Sequence, residues 1–324
     1  MAKKLHPHLM KPLLIQKPPA GLYPEPWIWM EGKDMEGFNA NFSYGFIKKP
    51  QSLHPAQGAL VHPYDECLVF AGIDHTDITY LGAEVSVELG EEREEHVFNV
   101  PSVIIIPKGL PHGPVTVKKL DKPIAHYHIG LAAAYKAEAL PAKPATKGSK
   151  YAHLVKPLGP GFQPVMMSKI AKDPKLLAQF KKEHPEIDMD FGQVGLLGPG
   201  NADFLVWLYG KDLEGFDVNF TWGFYTGAGI WHRGGEAHYH PAEEILVFLG
   251  LDPDHLDYLG CEQELAMGKE LERHVFKVPT VAVCPSGFPH LPLITRWTDK
   301  PYAFIVCCLN AEHDAPWTLE EEEE

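Results

Sequence analysis

Residues 234–250 read GGEAHYHPAEEILVFLG, and residues 285–290 read PSGFPH. His238 and His240 are two apart, so on a strand both rings leave the same face. Glu244 shares their parity with Leu246 and Phe248, which puts its carboxylate at the start of the next inward-facing row. His290 stands just after a Pro285-x-Gly287 turn, where a strand re-enters the same body. Three imidazoles and one carboxylate converging inside a β-barrel make a divalent transition-metal site with room for water or substrate in the remaining positions. The surrounding runs EILVFLG and HVFKVPTVAVCPSG are β-branched and aromatic, punctuated by Gly and Pro, as strands and turns require.

Working outward, the pattern occurs twice. WMEGKDMEGFNANFSYGF, starting at Trp29, returns as WLYGKDLEGFDVNFTWGF at Trp207, an offset of 178 residues. The same offset maps Glu66 on Glu244, His96 on His274 and His112 on His290, without a gap as far as about Gly130. Upstream, HLMKPL at His8 recurs as HLVKPL at His153, an offset of 145, so the second copy carries an insertion of 33 residues. Part of that insertion, Asp173-Pro174 followed by KLLAQFKKEH and Pro185, predicts a helix near 173–184 with an Asp cap and a proline stop. The polar, Pro-containing stretch LPAKPATKGSK suits a linker and divides the chain into units 1–146 and 147–324. Several short strands per unit, with no alternating helices, predict an all-β fold of antiparallel sandwiches or barrels.

These residues resemble the two signature motifs of the cupin superfamily, G(x)5HxH(x)3-4E(x)6G and G(x)5PxG(x)2H, and two such units in one chain resemble a bicupin. The resemblance implies two tandem jelly-roll barrels with a short helical insertion. It implies metal ligands at His238, His240, Glu244 and His290. The departures are that Gly250 comes one residue early, Gly234 and Gly235 lie closer to the HxH than usual, and no Asn follows His290 at the fourth position; none touches a ligand. In the first copy His62, Glu66 and His112 match, but Leu60 holds the place of His238. That copy is expected to be the weaker site and mainly structural, unless His126 or His128, which share parity on its last strand, replaces the missing nitrogen; the alternative is that the two only line a polar pocket.

Composition narrows the function. Lys and Arg total 29 against 43 Asp and Glu, a net charge of −14, which argues against a nucleic-acid partner. The terminal run 320–324 is read as a solvated acidic tail. Five cysteines without zinc-type spacing fit reduced thiols and a cytoplasmic location, and no apolar run suggests a signal peptide or membrane span. The repeated His96 and His274 are read as sharing a structural job. GLDPDHLDYLG lacks the spacing of a calcium loop and is read as a turn. Trp222, Tyr225, Trp231 and Phe248 are read as core or as a stacking surface for substrate, and His232 and Arg233 as candidates for contacts around the metal or to a substrate anion.

The resemblance implies Fe2+ or Mn2+ first, with Ni2+, Cu2+, Co2+ and Zn2+ as further candidates, and a small-molecule substrate. The expected function is a metal-dependent enzyme, a non-haem dioxygenase before a lyase, decarboxylase or isomerase. A non-catalytic binding bicupin is the third reading. A homo-oligomer is compatible with all three.

Overall fold

The computed structural model describes residues 4–158, 182, 202–230 and 237–313. Apart from Lys182, the helix expected near 173–184 lies outside these residues, as do Trp231, His232, Arg233 and the tail 320–324.

The strands follow the apolar runs. Glu66–Gly72 (ECLVFAG) and Glu244–Gly250 (EILVFLG) are buried at every position. Continuous apolar runs of this kind belong to strands covered on both faces. Each sits within a six-stranded sheet. In the first copy the order is Val155–Pro157, Ser102–Ile106, Glu66–Gly72, Ile124–Gly130, Asn41–Ile47 and Ile28–Met30. In the second it is Met10–Pro12, Thr280–Cys284, Glu244–Gly250, Tyr302–Cys308, Asn219–Tyr225 and Ala202–Leu208. One face of each sheet looks into its own barrel. The other meets the opposite copy, where the Tyr127 ring stacks on Trp222 at 5.6 Å and the Tyr44 hydroxyl donates to the Gly250 carbonyl.

A second sheet closes each barrel. His112–Leu120 and His290–Thr298 share one burial pattern, alternating through the middle of the strand, with Lys118, Lys119, Arg296 and Trp297 exposed near their ends. Among the described residues the paired strands are antiparallel. Together they form the two tandem jelly-roll barrels that the resemblance implied.

The copies exchange their leading strands. Met10–Pro12 from the first copy pairs with Thr280–Cys284 of the second, with Met10 opposite Ala282. Val155–Pro157 pairs with Ser102–Ile106 of the first, with Val155 opposite Ile104. The repeated histidines secure this exchange. The Glu272 carboxylate accepts the backbone N–H groups of Leu5 and His6 and pairs with His274 at 2.7 Å. Glu94 accepts the Tyr151 N–H and pairs with His96 at 3.0 Å. The stretch after residue 140 also lies on the first barrel, since Thr146 bridges Glu94.

Edge strands removed from a sheet leave their neighbour's N–H and C=O groups unpaired. Deleting residues 1–12 is therefore expected to speed amide exchange along Thr280–Cys284 and leave Ser102–Ile106 protected. Equal exchange in both strands would contradict the pairing.

Candidate metal centres

In the second barrel His290 and His238 face each other across a two-way backbone bridge, with His238 N–H to His290 O at 3.1 Å and the reverse at 2.9 Å. Their Nε2 atoms lie 3.0 Å apart, and His240 Nε2 is 3.2 Å from that of His238. Glu244 opens its strand and brings Oε2 within 3.2 Å of His240 Nε2 and 3.1 Å of His290 Nε2. The His290 Nδ1–H donates to the Phe288 carbonyl at 3.2 Å, which turns the Nε2 lone pair toward the cluster. All four side chains are buried. Burial would raise the Glu244 carboxyl, but its hydrogen bonds to His240 and His290 hold it well below the usual carboxylate range.

The first barrel shows the same arrangement with one imidazole relocated. Leu60 stands opposite His112 in register, just as His238 stands opposite His290, so Leu60 does occupy the vacated position. The third imidazole comes instead from His54, directly after the strand Gln51–Leu53. His54 Nε2 lies 3.2 Å from Glu66 Oε2 and 3.3 Å from His112 Nε2. His62 and His112 each place Nε2 3.4 Å from the same oxygen.

Partners behind the rings orient them. His54 Nδ1 meets the Tyr23 hydroxyl at 2.8 Å, and His62 Nδ1–H donates to the Lys136 carbonyl at 2.7 Å. Burial pulls the His62 imidazole down to about 4 and lowers His54 as well. Burial opposes ionisation of Glu66, yet the facing imidazoles of His54 and His62 and the bond from His112 hold it ionised.

Both donor sets fit a divalent transition metal. The ligand atoms in each lie within 4.8 Å of one another, and the buried Glu66 Oε1 and Glu244 Oε1 accept no hydrogen bond. A buried carboxylate oxygen left without a donor is costly, and a cation removes that cost.

No family model matches the chain, and no curated protein matches its sequence. Solved structures do match its architecture. The oxalate decarboxylase from Bacillus subtilis at pH 4.6 superposes with a TM-score of 0.50 at 10% identity, over 90% of this chain and 73% of that one. The Lactobacillus farciminis oxalate decarboxylase formate complex gives 0.51 at 10% identity, over 90% and 83%. The chain has the bicupin fold.

Within this bicupin the other sequence candidates fall into place. His126 and His128 point inward, as their parity required, but at the wrong depth. On the strand Ile124–Gly130, Gly130 is opposite Glu66, His128 opposite Leu68 and His126 opposite Phe70. At about 3.3 Å per residue they sit about 7 and 13 Å along the strand from the Glu66 rung. His126 Nδ1–H donates to the Val69 carbonyl, and His128 lies between Ser43 at 2.6 Å and Asn41 at 2.7 Å. Neither joins the cluster.

Phe248 packs on Phe276 and Phe304, Tyr225 on Tyr302, and Trp222 on Tyr127, so these aromatics are core. Asp252 is matched by Lys300 at 2.7 Å and the Asp254 N–H, which makes its segment a turn. Cys284 is buried, and burial pushes its thiol up.

Three residues escaped the sequence reading: His54, and in the second barrel Cys308 and His313. For His54 a signal existed, because the 178-residue offset maps it on His232.

The approach of His54 depends on Gly113. That residue has φ +86°, and a Cβ there would run into the His54 carbonyl oxygen. The second copy carries Leu291 at the equivalent position. Gly113→Leu is expected to displace His54 and remove metal from the first barrel only. Full metal content by elemental analysis would show that the segment tolerates the side chain.

Proposed function

We propose that this bicupin is a metal-dependent lyase acting on a small, anionic organic acid, with decarboxylation as its reaction class. The observation that carries the reading is the buried convergence of three imidazoles and one carboxylate in each barrel. Three neutral donors and one anion leave a divalent ion with net positive charge, which favours an anionic oxygen ligand in the remaining positions. When bound, the metal supplies Lewis-acid polarisation of a carboxylate or carbonyl oxygen.

The chain's own residues set the rest. In the first barrel Tyr64 stacks on His62 at 5.1 Å and Tyr135 meets it edge-on at 5.3 Å, while Leu60 adds an aliphatic wall. These groups put apolar surface beside the donor atoms. Burial, reinforced by the Glu66 charge, raises the Tyr135 phenol, so its hydroxyl holds its proton at neutral pH. The decarboxylase activity named for the two structural neighbours supports lyase chemistry over the dioxygenase expected from sequence. Among the described residues no helix is long and apolar enough to cross a membrane.

The test is carbon dioxide release from two- to four-carbon dicarboxylates and 2-oxo acids by metal-loaded protein, with oxygen uptake followed in parallel. Release without stoichiometric oxygen consumption is expected. One oxygen consumed per turnover, with both its atoms recovered in product, would establish a dioxygenase instead.

A further inference from the structure

Beside the four-ligand site of the second barrel lie a thiol and an imidazole that this site does not use. Cys308 closes the strand Tyr302–Cys308 and pairs in register with Glu244, so both side chains leave the same face of the sheet. Five residues on, the His313 ring packs edge-on against Trp207 at 4.4 Å and lies 4.5 Å from the His240 ring. Donor atoms of His240, Glu244, Cys308 and His313 all lie within 4.8 Å of one another.

Glu244 is turned between the two groups. Oε2 faces His240 and His290, while Oε1, which accepts no hydrogen bond in a side chain only 1% exposed, lies 4.0 Å from His313 Nδ1. The first barrel has no counterpart, because the offset maps Cys308 on Gly130 and His313 on Tyr135.

We propose that the second barrel carries two overlapping donor sets. A thiophilic ion such as Zn2+ takes His240, Glu244, Cys308 and His313, while a harder ion such as Mn2+ keeps to His238, His240, Glu244 and His290. Soft thiolate donors select Zn2+ and its relatives, whereas Mn2+ prefers oxygen and is indifferent to sulfur. Because the sets share His240 and Glu244, one ion occupies one set at a time. Coordination at Cys308 exchanges the S–H bond for a metal–sulfur bond and releases one proton. The inference rests on the metal reading of this barrel and is independent of the lyase chemistry.

The test uses full-length protein carrying Glu66→Ala to silence the first barrel, stripped and then loaded with Co2+ as a spectroscopic stand-in for Zn2+. Visible d–d bands report bound metal, and a near-ultraviolet thiolate-to-cobalt band reports Cys308. The band is expected, and Cys308→Ser should abolish it while the d–d bands persist. Zn2+ affinity should fall at least about tenfold in Cys308→Ser and in His313→Ala, with Mn2+ affinity held within about twofold as the control for an intact barrel. Cobalt d–d bands without the charge-transfer band, or unchanged Zn2+ affinity, would overturn the inference. Absence of both bands would overturn the metal reading beneath it.

Discussion

His54→Ala is expected to empty the first barrel, reducing bound metal from about two ions per chain to about one, because the overlapping donor sets of the second barrel hold one ion at a time. Loss of an inner ligand should weaken that site by more than the 10- to 100-fold typical of outer partners. His62, Glu66 and His112 would remain, but without an imidazole opposite Glu66 Oε2 from the Gln51–Leu53 side. The relocation itself can be tested. Leu60 stands where His238 stands in the second barrel, so Leu60→His on the His54→Ala background should restore the missing nitrogen and the second ion. Elemental analysis and isothermal titration read both results. A His54→Ala protein that keeps its full metal content would remove His54 from the ligand set.

Trp222→Ala should destabilise the whole molecule by about 3–5 kcal/mol, the usual cost of deleting a large buried aromatic. Trp222 is 2% exposed and lies against Tyr127 from the other copy, itself fully buried. Because the leading strands are exchanged and this contact joins the sheets, both barrels should unfold in one denaturant transition whose midpoint moves. Two transitions, of which only one shifts in the variant, would mean that the barrels are energetically separate. Far-ultraviolet dichroism together with tryptophan fluorescence distinguishes these outcomes.

The second cluster was legible because its residues are local. His238, His240 and Glu244 fall within seven residues, and strand parity alone puts them on one face. His54 was illegible for the opposite reason. It precedes Leu60 by six residues, lies outside the motif, and reaches the cluster only through a turn that Gly113 accommodates. Parity also predicted that His126 and His128 face inward but carries no information about depth, which the register across the sheet decides. Cys308 and His313 join Glu244 through a pairing between strands more than fifty residues apart, a relation that no local pattern expresses. The strand content was readable in the apolar runs, whereas the fully buried runs came from a contact between copies that the repeat does not encode.

The exchanged strands give the two barrels different schedules during synthesis. The first can complete its large sheet once Val155–Pro157 has left the ribosome, some fifty residues after Ser102–Ile106. Met10–Pro12 must wait for Thr280–Cys284, with 272 residues between Met10 and Ala282. At about 5–20 residues per second that is a delay of roughly 15 to 55 s. For about its last 125 residues, roughly 6 to 25 s at that rate, the finished first barrel carries the unpaired strand Met10–Pro12 as a tether, ready to template the edge of its twin or, in a crowded polysome, the edge of a neighbouring chain.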